Sequence, residues 1–275
     1  MNVQGRTIVV TGSNTGIGRV TAEQLAKQGA RVILANRSEE KTRPVLEAIR
    51  AAGGTAEYLP LDLADLASVR KAAQTLLDRN EPIDVLVNNA GLAGLRGVTK
   101  DGFEITFGTN HLGHYLFTRL LIPLLEKAKA PRIVNVSSKS HYRAKSIDFE
   151  AVRRPTAHLT GLPEYEVSKL ANVLFTKQLA KRLGDRFTVT ALHPGVVASD
   201  AWRQLPWGLR HLAKLFMISN EEGAKTTLHC VTADDLKSGA YYDSCKERRP
   251  SRASGDDELG RTLWEKSAQW VNLPV

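Results

Sequence analysis

The chain has 275 residues, 42% hydrophobic and 24% charged, which excludes a disordered or low-complexity protein and suits a single α/β domain with a large core. Its 38 Lys and Arg outnumber 29 Asp and Glu for a net charge of +9. However, the bases are interleaved with acids except at Lys246 to Arg252, a solvated loop by composition, and no helix-turn-helix, zinc or RNP-type motif accompanies them, so nucleic acid is not an expected partner. Two cysteines, Cys230 and Cys245, are too few for a disulfide scaffold and lack metal-ligand spacing, while the longest apolar run, Tyr115 to Leu125, is broken by Arg119 and falls short of a membrane span.

No charged segment followed by an apolar stretch opens the chain, so a soluble, cytoplasmic protein without a transmembrane segment is expected. Residues 6–10 read as a β-branched strand, followed by Gly12, Ser13, Asn14, Thr15, Gly16, Ile17 and Gly18 and then an amphipathic helix to Gln28. Strand, glycine turn and helix N-terminus in that order make a phosphate cradle, because unpaired amides and the helix dipole face the anion. The spacing is G-x-x-x-G-x-G, and no Gly-Lys-Ser/Thr follows, so it is not a P-loop.

The second strand, 31–35, ends in Asn36, Arg37 and Ser38. A dinucleotide fold selective for a free ribose 2′-hydroxyl carries an acid there, whereas an Arg pairs with a 2′-phosphate, so NADP(H) is expected ahead of NAD(H), with Ser38 adding a hydroxyl. A helix over 39–52 and a strand near 57–61 lead to Asp62 and Leu63 at the strand's C-terminal edge, where Asp62 could also cap the next helix, 66–79. A fourth strand, 83–87, precedes Asn88, Asn89, Ala90 and Gly91, small and amide side chains that let the backbone approach a ligand while tying strands together. The next helix carries Asn110, His111 and His114; the two histidines lack H-E-x-x-H spacing and read as packing residues rather than metal ligands.

The fifth strand, 132–136, closes on Ser137 and Ser138, with no G-x-S-x-G elbow of a serine hydrolase around either. Tyr165 and Lys169 then stand four apart at the start of a helix reaching about Gly184, which places phenol and ammonium on one face. A phenol titrating near pKa ~10 needs such a neighbouring charge to exchange protons near neutrality, so Lys169 is expected to lower it. That helix is apolar on two sides, enough to pack on the sheet and on a partner subunit. A sixth strand, 187–192, runs into Pro194 and Gly195. Residues 200–220 are rich in Trp and Leu, 238–242 read as an edge strand, 247–257 as the segment most prone to disorder, and 257–270 as a helix.

The glycine turn, Asn88 to Gly91, Ser138 and the Tyr165/Lys169 pair together resemble the short-chain dehydrogenase/reductase family over essentially the whole chain. The resemblance implies a Rossmann-type doubly wound parallel sheet with helices on both faces, and a catalytic set of Asn110, Ser138, Tyr165 and Lys169, Asn110 keeping a water beside the lysine; Ser137 is the neighbour most easily confused with Ser138. It further implies cofactor contacts from Gly12 to Gly18, at Asn36, Arg37, Ser38, Asp62, Leu63, Asn89, Ala90, Gly91, Tyr165 and Lys169, and from Pro194, Gly195, Val197 and Ser199, the last in place of the family's Thr. Residues 139–164, longer than usual in the family, and Gly260 to Ser267 are similar to the retinol dehydrogenase branch, and 200–220 would be an apolar substrate lid. The branch is often anchored by an N-terminal membrane segment not seen in this sequence. Expected, then, is an NADP(H)-dependent oxidoreductase interconverting a small apolar carbonyl compound and its alcohol, as a homodimer or homotetramer; the alternative is a regulatory protein of the same fold that senses the dinucleotide without chemistry.

Overall fold

A computed structural model describes residues 1–195 and 219–275. Its first half alternates strand and helix as the periodicity dictates: β1 (Thr7–Thr11), α1 (Gly16–Lys27), β2 (Arg31–Asn36), α2 (Glu39–Ala51), β3 (Thr55–Pro60), α3 (Leu66–Arg79) and β4 (Val85–Asn88). After β4 come one helical turn, Ile105–Phe107, a π-helical turn, Gly108–Leu112, and then α4 (Gly113–Leu125) and β5 (Arg132–Val136). Next are α5 (Leu162–Leu183), β6 (Thr188–His193), α6 (Asn220–Thr232), β7 (Tyr241–Asp243), β8 (Lys246–Arg248) and α7 (Asp257–Trp270).

The eight strands form one sheet in the order β3-β2-β1-β4-β5-β6-β7-β8, parallel except for the last pair. Strands buried on both faces, such as Ile8-Val9-Val10 and Leu86-Val87, have near-continuous apolar sequence because helices cover each side. One face packs Leu25 of α1, Val45 of α2 and Val231 of α6 against Val10 and Leu34. The other packs Val69 of α3, Leu116 of α4, Leu174 of α5 and Trp264 of α7 against Val9 and Leu86. The strand order reverses between β1 and β4, and ligands of doubly wound sheets bind in the crevice that such a reversal opens at the strands' carboxyl ends.

Two expectations at the C-terminal side are corrected. The strand at 238–242 is shorter and not at the edge: β7 pairs with β6 on one side and β8 on the other. Residues 247–257 are ordered, because β8 joins the sheet, Ser251 and Ser254 are buried, and a 3-10 turn at Ala253–Gly255 leads into α7. The second apolar side of α5 is covered by α7 of the same chain, through Phe175 and Trp264 stacked at 6.1 Å. Among the described residues no helix is long and apolar enough to cross a membrane.

Candidate active site

The glycine turn is held open by contacts that admit no side chain. A Cβ on Gly12, whose φ is +65°, would lie 2.7 Å from the Ala90 Cα, and one on Gly18 would lie 2.3 Å from the Gly12 carbonyl oxygen. The turn's position is fixed from β4: the Asn89 amide side chain donates to the carbonyls of Thr11 (2.9 Å) and Gly12 (3.2 Å), while the amides of Asn89 and Ala90 donate to the Thr11 hydroxyl at 3.0 Å. That hydroxyl lies 2.9 Å from His114 Nε2, and His114 Nδ1 faces the Asn110 carbonyl at 3.0 Å, so Nδ1 carries the proton and Nε2 accepts. Asn88 in turn donates to Asn135 on β5 and to Thr118 on α4, both at 2.8 Å. The two asparagines thus bind neighbouring elements together, as expected from their sequence.

Above this frame a cleft of about 490 Å³ follows the β1–β4 reversal. It gathers Gly12, Asn14, Thr15, Gly16, Ile17, Gly18, Asn36, Arg37, Ser38, Asp62, Leu63, Asn89, Ala90, Gly91, Tyr165, Lys169 and Pro194, seventeen residues drawn from distant parts of the sequence. Ser13, Asn110, Ser138 and Gly195 are not on its lining. Ser13 is fully buried and locked to Asn36, its amide donating to Asn36 Oδ1 at 2.7 Å while Asn36 Nδ2 donates to its hydroxyl at 3.0 Å. Val197, Ser199 and most of 200–220 lie outside the described residues; within the latter stretch, Ser219 caps α6 through the Glu222 amide.

The two serines after β5 separate clearly. Ser137 reaches the cleft wall, but its hydroxyl donates to the Lys169 carbonyl at 2.8 Å. The Ser138 hydroxyl instead donates to the Ser140 hydroxyl at 3.3 Å and accepts from the Ser140 amide at 3.1 Å, close enough to the Tyr165 phenol to lower its pKa. Lys169 is 3% exposed, with Nζ donating to the Val136 carbonyl at 3.0 Å and lying 5.6 Å from the Tyr165 ring centroid. Burial lowers the Lys169 ammonium to about 8.

The expectation that Lys169 acidifies the phenol is corrected. Burial raises the Tyr165 pKa above its ordinary value, with Ser138 opposing this in part. Asn110, fully buried on the π turn, accepts from the Leu92 amide at 2.7 Å and donates to the Leu92 carbonyl and the Ser168 hydroxyl. Gly91 separates it from the lysine: a Cβ there would lie 3.3 Å from Lys169 Nζ and 3.6 Å from Asn110 Oδ1.

At the far end of the cleft, Arg37 makes no ion pair among the described residues. Ser38 caps α2, its hydroxyl accepting from the Lys41 amide at 3.3 Å. Asp62 does not cap α3, a role taken by Asp65; its Oδ1 accepts from the Ala64 amide at 3.0 Å. Sequence reasoning missed Lys41, which lines the same corner and stands four residues after Arg37. It also missed Leu92, Leu95, Ile105 and Thr109, which line the wall on the Tyr165 side, and His193, whose Nδ1 accepts from the Lys139 amide (3.2 Å) just after Ser138.

This cleft fits a dinucleotide: its glycine turn admits no Cβ at Gly12 or Gly18, and α1 begins with no side-chain cap and no acid in its first turn. His111 lies 3.0 Å from the Ser267 hydroxyl, and among the described residues no group of three His, Cys, Asp or Glu side chains could hold a metal ion.

Residues 6–149 match the family described as short chain dehydrogenase. Human retinol dehydrogenase 13 is 39% identical over 98% of this chain and 86% of its own, and mouse retinol dehydrogenase 11 is 40% identical over 100% and 89%. An uncharacterized protein from Mycobacterium paratuberculosis superposes with a TM-score of 0.81 at 32% identity, covering 100% of this chain and 97% of that one. A short chain dehydrogenase from Shigella flexneri complexed with NADP shares the fold, with a TM-score of 0.68 at 24% identity over 89% of this chain and 99% of its own. With its nicotinamide-dinucleotide cradle, reversed strand order and full-length relatives, the chain belongs to the short-chain dehydrogenase/reductase family of oxidoreductases, in its retinol dehydrogenase-like branch.

Proposed function

We propose that this enzyme interconverts a small apolar aldehyde or ketone and its alcohol with NADP(H), Tyr165 acting as general acid and base. The observation that carries the reading is Tyr165 and Lys169 of α5 at the cleft that holds the glycine turn, with Ser138, just after β5, acting on the phenol. The bound nicotinamide supplies or accepts the hydride. Ser138 then holds the substrate oxygen by its hydroxyl, and Tyr165 gives that oxygen its proton in the reductive direction. A phenol held above its ordinary pKa is protonated at neutral pH and so ready as an acid. Lys169, close to both the ring and Gly91, keeps a positive charge where the phenolate forms and where the cofactor's ribose would lie, with Asn110 fixing the backbone beside it.

Leu92, Leu95 and Ile105 give the Tyr165 side of the cleft an apolar wall, which supports an apolar substrate. The full-length relatives named as retinol dehydrogenases support an alcohol/aldehyde pair of that character. Arg37 and Lys41, neither of which makes an ion pair among the described residues, support the 2′-phosphate. Tyr165→Phe tests the reading: NADPH oxidation against a graded aldehyde and ketone panel is expected to fall about 10²–10⁴-fold, while NADPH affinity stays within about threefold because no phosphate contact is removed. Full turnover in that variant would overturn the assignment of Tyr165. Tight NADPH binding by the wild type with no turnover on any compound would favour the sensor reading.

A further inference from the structure

A second cleft, of about 810 Å³, lies apart from the one at the strand reversal. It lies on the other side of α3, between that helix's start, the C-terminal end of α7 and residues 150–154. Arg70, Arg153, Arg154 and Lys266 line it, as do Phe103 and Trp270. Some surface cations of this protein are paired, Arg31 with Glu57 and Glu81 and Lys181 with Asp257. Among the described residues none of these four has a carboxylate partner within ion-pair distance.

The cations are instead held by uncharged groups. Arg70 donates to the Val271 carbonyl, the Arg153 guanidinium lies 5.4 Å from the Phe103 ring centroid, and Lys266 Nζ lies 5.5 Å from that of Phe149. Phe103 and Trp270 pack at 5.3 Å and give the cleft an aromatic wall. Two carboxylates share the lining. Asp101 is turned to α3, accepting from the Leu66 amide at 2.9 Å, and Glu150 makes no ion pair among the described residues, so the cleft keeps an excess of two positive charges. The field of Arg154 reaches Asp148, whose carboxylate is already spent on the amides of Glu150 and Ala151. The start of α3 is satisfied by Asp65 and Asp101, so any attraction for an anion comes from the side chains.

We propose that this cleft is a second ligand site, for a small organic anion carrying a phosphate or carboxylate on an apolar body. Guanidinium groups supply paired donors to such an oxyanion, and aromatic faces take the body. The concave shape and a volume within the range of small-molecule pockets favour a small ligand over a nucleic acid or a bilayer, which need extended surfaces. The site is separate from the dinucleotide cleft and does not rest on the reaction proposed above.

Calorimetric titration of phenyl phosphate into the whole protein, with NADPH saturating so that its cleft is filled, tests the proposal. Saturable binding is expected, with inorganic phosphate weaker and benzyl alcohol silent. The Arg153→Gln/Arg154→Gln double variant is expected to bind about tenfold more weakly, with melting temperature and turnover unchanged; Lys266→Gln, on a different element, is expected to weaken binding as well. The proposal is overturned by absence of saturable binding, by equal affinity in these variants, by competition with NADPH, or by binding seen only with phosphatidylglycerol vesicles.

Discussion

At residue scale, the 2′ corner of the dinucleotide cleft shows what a linear reading finds and what it loses. Arg37 follows a strand at the place where an acid is diagnostic, so its absence of negative charge is visible in the sequence alone. Lys41 is not, because a lysine in the first turns of an amphipathic helix reads as solvated; only the fold turns it toward the Arg37 corner. Ser137 and Ser138 are likewise adjacent and alike, and what separates them is their surroundings: the Ser137 hydroxyl is tied to the Lys169 carbonyl, while that of Ser138 acts on the Tyr165 phenol. Under the proposed NADP(H) preference, Arg37→Asp removes a charge-assisted contact and introduces repulsion. It is expected to weaken NADPH by about 1.5–3 kcal/mol, roughly 10- to 150-fold in KM, with NADH gained rather than lost. Lys41→Ala is expected to act in the same direction by less. NADPH and NADH saturation curves on both variants measure it, and unchanged selectivity in Arg37→Asp would remove the 2′-phosphate role.

At the scale of elements, long periodic segments were legible to within a residue or two: α3 at 66–79, β5 at 132–136 and α7 at 257–270 stand where the pattern puts them. The features that escaped are those with no periodic signature. A π turn adds one residue to a helical run without changing its composition, so Asn110 on Gly108–Leu112 reads as ordinary helix. The β7–β8 hairpin turns through Ser244 and Cys245 at φ of +53° and +58°, a conformation usually announced by Asn-Gly, so its second strand looked like loop. The two-sided apolarity of α5 announced a partner, but not that α7 supplies it. Trp264 closes that contact, 4% exposed, stacked on Phe175 and overlain by the guanidinium groups of Arg119 at 4.6 Å and Arg182 at 4.2 Å. Trp264→Ala leaves both a cavity and two cations without their ring, so a loss of about 3–5 kcal/mol is expected. Thermal unfolding checks this as a fall in Tm of roughly 6–20 °C. A fall under about 2 °C would mean that α7 only covers the α4/α5 face and does not hold it.

At the scale of the whole molecule, two helical layers around an eight-stranded sheet bury ionisable groups close to the cleft, and that burial shapes the pH response. His111 is held down to about 3, and His114 and His193 to about 4, in each case chiefly by burial. All three are therefore neutral above about pH 6, and their hydrogen bonds need no proton added or removed there. The Tyr165 phenol is raised and stays protonated over the same range. Lys169 titrates first as pH rises, since burial lowers it to about 8, and above that value it loses the charge that the proposed function assigns to cofactor and phenolate. The sign follows from those directions: in carbonyl reduction, kcat/KM for NADPH, which reports groups of the free protein, is expected to be level from about pH 6 to 7 and then to fall. The fall should have a midpoint near 8 and approach one decade per pH unit beyond it. A midpoint near 6.5 would assign the profile to an exposed histidine, and a curve level through about pH 9.5 would show that the Lys169 charge is not required.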